Sequence, residues 1–184
     1  FIGRHTIFHG FQRTPSETPP GVTPSTWWGS DRFALPEGTR QTNVRLQAED
    51  GAHSSGILYT PPNMKTGGGE KTVLVFNHPR ADFSSHYLTP FLVAAGYAVY
   101  GGQTRYLGND VNCEHECLIA DLAAQLRYLK AEGFEKLVFC GNSGGGPLST
   151  FYMAQANTPV GQRLKVTAAG GDYDLNDLDI PQAD

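Results

Sequence analysis

Three short runs of unbroken apolar residues, Val73–Phe76, Tyr97–Tyr100 and Leu137–Cys140, recur between stretches of helical character. A strand that is apolar at every position, rather than at alternate ones, is buried on both faces, and that happens where helices cover both sides of a parallel sheet. The segments between the runs have the required pattern. Within Glu116–Glu132, Leu118, Leu122, Leu126 and Leu129 fall on one helical face and Gly133 supplies a stop. From Gly144 to Ala156, Leu148, Phe151, Tyr152 and Ala156 repeat at helical spacing. Between the first two runs, Thr89 suits a cap, Pro90 a first helical turn and Gly96 a terminus, with Ser84 as an earlier start that would bend at the proline. Ahead of them, Asn43–Ala48 alternates polar and apolar, Glu49-Asp50-Gly51 turns, and Ser55–Thr60 returns before Pro61-Pro62, which reads as a hairpin. The order is hairpin, strand, helix, strand, helix, strand, helix: an α/β protein with helices on both faces of its sheet.

The remaining chain divides at about residue 41. Five of the 12 prolines lie within residues 1–40, together with Trp27-Trp28 and Phe1, Phe8, Phe11 and Phe33. The prolines break regular structure, and the aromatics are too numerous for a solvated tail, so residues 1–41 read as an irregular arm anchored on a domain of residues 42–184. A length of 184 residues with 39% hydrophobic and 17% charged content suits one soluble globular domain. A formal charge of −4, without blocks of like charge, leaves no electrostatic footprint for nucleic acid or an anionic membrane. The longest apolar stretch, Phe91–Tyr100, falls short of the roughly 20 residues that a membrane helix needs. Three cysteines, Cys113, Cys117 and Cys140, do not make a disulfide framework and lean toward a reducing, cytoplasmic compartment.

Two clusters invite a metal and fail on inspection. Cys113-Glu114-His115-Glu116-Cys117 offers three soft ligands without the fourth that a zinc site needs, and reads instead as a helix start with acidic residues in its first turn. Asp172–Asp179 imitates the opening of a calcium loop, but Asp177 stands where glycine is required and Ala183 where the closing glutamate belongs. It reads as a solvated loop with Asn and Asp turns, and no cofactor or metal is expected.

The segment that carries chemistry is Gly141-Asn142-Ser143-Gly144-Gly145, placed directly between the third apolar run and the last helical segment. A serine where a strand turns sharply into a helix is held at the apex of the sheet, and small residues two places either side let the helix pass close to the strand. Gly141 and Gly145 occupy those places, and the N–H of Gly144 is positioned to donate to an oxyanion. The plainer reading is a tight turn whose serine only caps the helix. A trypsin-like string is excluded by the extra glycine before Pro147 and by the alternation of strands and helices, and a P-loop by the lack of a following Lys-Ser or Lys-Thr.

With that serine in place, residues 42–160 resemble the first half of an α/β-hydrolase, and the turn around Ser143 resembles its nucleophile elbow. The resemblance implies a serine esterase in which Ser143 attacks a carboxylic ester or lactone and forms an acyl-enzyme. It places a second oxyanion donor in the turn after the first apolar strand, Asn77-His78-Pro79-Arg80. Arg80 matches the donor position; proline replaces the family's usual glycine, so Arg80 and Ala81 both stand as sources of that N–H. His78 reads as a turn-stabilising group.

The family's order of serine, acid, histidine is not met within this chain: His5, His9, His53, His78, His86 and His115 all precede Ser143. His78 and His86 follow a strand end and could approach the catalytic rim as a base. The favoured expectation is an N-terminal portion whose sheet is incomplete and whose triad acid and histidine come from a C-terminal segment or a second polypeptide. A non-catalytic binding protein and an acyltransferase using the same serine are the alternatives.

Overall fold

The structure is a computed structural model, and it describes residues 33–64, 66–67 and 70–184. The expected arm lies outside the described residues up to position 32. Its last part, Phe33 and Leu35, packs against buried Tyr59 and its neighbours, with the Phe33 and Tyr59 rings 5.8 Å apart edge to face.

The expected hairpin is β1 (Arg40–Gln47) and β2 (His53–Thr60), paired antiparallel with Gln47 opposite His53. A two-residue strand, β3 (Thr66–Gly67), pairs with the start of β4 (Glu70–Phe76). Then follow α1 (Thr89–Ala94), β5 (Ala98–Gln103), α2 (His115–Ala131), β6 (Lys136–Phe139) and α3 (Gly145–Asn157), with a 3-10 turn at Leu175–Asp177. The main sheet runs β1-β2-β5-β4-β6. β5, β4 and β6 are parallel, and β2 joins them antiparallel through β5. The sheet is therefore mixed, with the parallel part where the apolar runs are. Crossing from β4 to β5 and back past β4 to β6 reverses the direction of winding, which opens a crevice at the carboxyl ends of these strands.

The two faces of the strands feed two separate cores. Val73 and Val75 of β4, Ala98 and Tyr100 of β5 and Leu58 of β2 point into a large cluster with α2 and α3, through Leu118, Leu122, Leu126, Leu148 and Tyr152. Phe76, Val99 and Tyr59 point the other way, into a smaller cluster with Phe83 and with Val93 of α1. This period-two division of continuous apolar runs is what two-sided burial requires.

Helix ends follow the expected signals with one difference. Gly96 and Gly133 follow α1 and α2 with φ of 90° and 86°. At the start of α1, Leu88 holds the cap position without a side-chain bond, and Thr89 and Pro90 form the first turn. Thr89 is buried there, so its hydroxyl faces the interior instead of the free N–H groups of the helix. Among the described residues no helix is long and apolar enough to cross a membrane. Asp184 reaches the outer edge of β6: its N–H donates to Leu137 O at 2.8 Å, and the Leu137 N–H donates to Asp184 Oδ2 at 2.9 Å.

Candidate active site

β6 ends at Phe139, the Cys140 N–H still donates to Val75 O at 2.9 Å, and within a few residues the chain is helical. The reversal is closed by Gly145 N–H to Asn142 O at 2.8 Å and Gly146 N–H to Ser143 O at 3.1 Å. Ser143 sits at its apex with φ of 52°, the only non-glycine residue with positive φ among the described residues. Holding a side-chain-bearing residue there costs about 1–2 kcal/mol. The glycines around it are demanded by space. A Cβ on Gly145 would lie 2.2 Å from the carbonyl oxygen of Asn77 at the end of β4, and one on Gly141 2.7 Å from Cα of Gly146. Helix and strand could not approach as they do with larger residues at either place.

The strained serine is exposed and opens onto a cavity of about 390 Å³ at the carboxyl end of the sheet. Ser143 and Gly144 share it with His78, Arg80, Asp110 and His115. His78 and Arg80 come from the turn after β4, and Asp110 and His115 from the connection between β5 and α2 and the start of that helix. Nδ1 of His78 accepts the N–H groups of Arg80 at 3.1 Å and Ala81 at 2.9 Å, the turn-stabilising role expected for it. Burial first, and the nearby Arg80 charge second, hold the His78 pKa below its ordinary 6.5. The Arg80 guanidinium pairs with Asp110 at 3.0 Å in an exposed position, where such a pair contributes at most about 1 kcal/mol.

His86 has a different place from His78. It is fully buried, stacked on Phe76 with centroids 4.3 Å apart, and its Nε2 is 2.7 Å from the Asn142 side-chain amide. Burial lowers its pKa to about 4, so the ring is neutral at ordinary pH. It supports the residue preceding Ser143 from below and does not line the cavity. The sequence carries no sign of this contact, which spans 56 positions.

His115 and Asp110 are cavity residues that reading the sequence for a serine site misses. The one available signal is the Cys113–Cys117 cluster, whose residue types point to a metal rather than to the serine. In the structure Cys113 lines the same cavity, while Cys117 is buried on α2. No group of three or more His, Cys, Asp or Glu side chains converges on a metal position among the described residues. In the acidic loop, Asp174 accepts the Asn176 N–H at 2.9 Å, forming an Asx turn.

No family model and no curated protein matches the sequence. Solved structures do match. An esterase of Pyrococcus furiosus, PF2001, superposes with a TM-score of 0.51 at 20% identity over 76% of this chain and 51% of that one. Brefeldin A esterase, described as a bacterial homologue of human hormone sensitive lipase, gives 0.54 at 14% identity over 81% of this chain and 40% of its own. Esterase Est22 gives 0.53 at 13% identity, over 67% and 40%. The chain thus spans about half or less of the length of these neighbours. The strand order, the two-sided helices, the turn at Ser143 and these superpositions agree on one architecture: the chain has the fold of the N-terminal portion of an α/β-hydrolase.

Proposed function

We propose that this chain is the nucleophile-bearing part of a serine esterase acting on carboxylic esters or lactones. The observation that carries the proposal is Ser143 itself, held at φ 52° on an open cavity between glycines that the packing demands. A fold retains backbone strain at a polar residue where function uses the position. The esterase neighbours support the same reaction class.

In this reading the Ser143 Oγ bonds to the carbonyl carbon, its proton passes to an imidazole base, and the carbonyl π pair moves onto oxygen. The Gly144 N–H is the donor to that oxyanion on the elbow side, and the turn bearing Arg80 stands opposite. Collapse expels the alcohol, which takes the proton back, and water releases the acid by the same steps in reverse. In this proposal the base and its orienting acid come from a C-terminal segment or a second polypeptide. His86 is buried, His78 has its Nδ1 lone pair engaged, and no carboxylate among the described residues hydrogen-bonds to His115 to orient it. A cavity lined by His78, Arg80, Asp110 and His115 favours small polar esters over long acyl chains.

The test is covalent labelling of the full-length protein by a fluorophosphonate. The peptide containing Ser143 should carry the phosphonyl group, and Ser143→Ala should abolish it. Absence of labelling, or equal labelling of the Ala variant, refutes the proposal. Product analysis with water against an added alcohol then separates a hydrolase from an acyltransferase.

A further inference from the structure

An oxyanion formed at Ser143 needs a donor on each side. On the elbow side the Gly144 N–H makes no hydrogen bond among the described residues and is available. On the other side the turn after β4 has used its own donors. Pro79 has no N–H, and the N–H groups of Arg80 and Ala81 both point inward to Nδ1 of His78, at 3.1 and 2.9 Å. An imidazole that accepts at Nδ1 and is neutral carries its proton on Nε2. That edge of the ring faces the elbow: a Cβ built on Gly144 would lie 2.9 Å from His78 Nε2 and 3.4 Å from its Cδ2. Ring and serine line the same cavity.

We propose that the Nε2–H of His78 is the second oxyanion donor of this site, taking the place of the Arg80 backbone N–H. The inference rests on the reading of Ser143 as the nucleophile. Two backbone amides donating into Nδ1 polarise the ring, so its opposite N–H is a stronger donor than that of a free imidazole. They also fix the tautomer and the ring plane before substrate arrives, which is the preorganisation such a site requires. His78 keeps its proton throughout. When the serine oxygen bonds to carbon and the π pair moves to the carbonyl oxygen, the hydroxyl proton goes to the base supplied from outside this chain, and His78 only donates a hydrogen bond. Burial first and the Arg80 charge second hold the ring's pKa down, which agrees with a neutral imidazole whose single proton is on Nε2. Proline at position 79 fits the same account. It fixes the backbone where the amides of residues 80 and 81 must converge on one nitrogen.

Two substitutions separate a donor from a brace. Asparagine places an acceptor oxygen near the position of Nδ1 and no donor at Nε2; glutamine places an N–H near Nε2 and gives up the acceptor. If His78 donates to the oxyanion, fluorophosphonate labelling of His78→Asn should slow by roughly 10²-fold or more, the usual loss for one donor, while His78→Gln should stay within roughly tenfold of wild type. If His78 only braces the turn, the order reverses. Labelling of His78→Asn at the wild-type rate, or the reversed order, overturns the inference while leaving Ser143 intact. Failure of the wild type to label strikes the reading of Ser143 itself. A measurement on the unsubstituted protein removes dependence on folding of the variants. In 15N-histidine spectra His78 should be protonated at Nε2, and that proton should move downfield when Ser143 is phosphonylated. A proton on Nδ1, or an Nε2–H unmoved by the adduct, overturns the proposal.

Discussion

Gly145→Ala tests whether the elbow is shaped by space or merely tolerates glycine. The added Cβ would sit 2.2 Å from the Asn77 carbonyl oxygen, against an ordinary carbon-oxygen contact of about 3.2 Å, so α3 or the end of β4 must yield by about 1 Å. Neither moves cheaply. Asn77 is buried where β4 ends, and α3 is anchored by Leu148 and Tyr152, both fully buried. Overpacking of this kind costs about 1–3 kcal/mol, which in a domain of this size lowers the melting temperature by roughly 2–12 °C. The displacement also falls on the serine two residues away, and a misplacement of about 1 Å can cost about 10²-fold in rate. Gly146→Ala is the internal control. A Cβ there would meet nothing within 4 Å, so alanine should leave labelling unchanged and raise stability by up to about 1 kcal/mol. Thermal unfolding and the second-order rate of fluorophosphonate labelling read both effects. Equal melting and equal labelling for Gly145→Ala and wild type would show that helix and strand do not meet as described.

His86 predicts an acid-sensitive fold. Its pKa is about 4 in the folded state against 6.5 in the unfolded chain, so stability is complete above pH 6.5 and falls as pH drops toward 4, by about 3 kcal/mol in total. His86→Leu should flatten that dependence in urea unfolding between pH 7 and 4; an unchanged slope would assign it to other groups. Arg105 predicts a large stability loss far from the serine. It joins Asp50 at 2.5 Å to Asp121 at 2.8 Å, and Asp121 is fully buried. Arg105→Met should destabilise by about 3–5 kcal/mol because a carboxylate is left buried and unpaired, and adding Asp121→Asn should recover much of it. Recovery absent from chemical denaturation of the double variant would contradict the pairing.

What can be read from the residues alone is what repeats locally. Val73 to Phe76 announces a strand covered on both sides, and the alternating assignment of these residues to two cores is that expectation realised. Gly133 marks a helix end because positive φ is a property of one residue. The elbow is legible for the same reason, since strand, serine and flanking glycines are contiguous. The contacts that support it are not. Nothing in Asn142 points to His86, and nothing in Asp50 points to Arg105, because side chains meeting across 55 or 56 positions leave no periodic trace. The Thr89 cap illustrates the opposite failure. Its local signal is clear, but the helix starts one residue earlier, with Leu88 at the cap position and Thr89 buried in the first turn. His115 stands out in the sequence only beside its cysteine neighbours, since it is the course of residues 104–114 that brings it to the serine.

Residues 77–88, which join β4 to α1, carry both His78 beside the serine and His86 beneath its neighbour. Wall and foundation of the cavity are thereby inherited together, on one connection that touches the elbow from two directions. An exchange of this single loop between related sequences would retune the reaction centre as a unit, whereas piecemeal changes within it would set one support against the other.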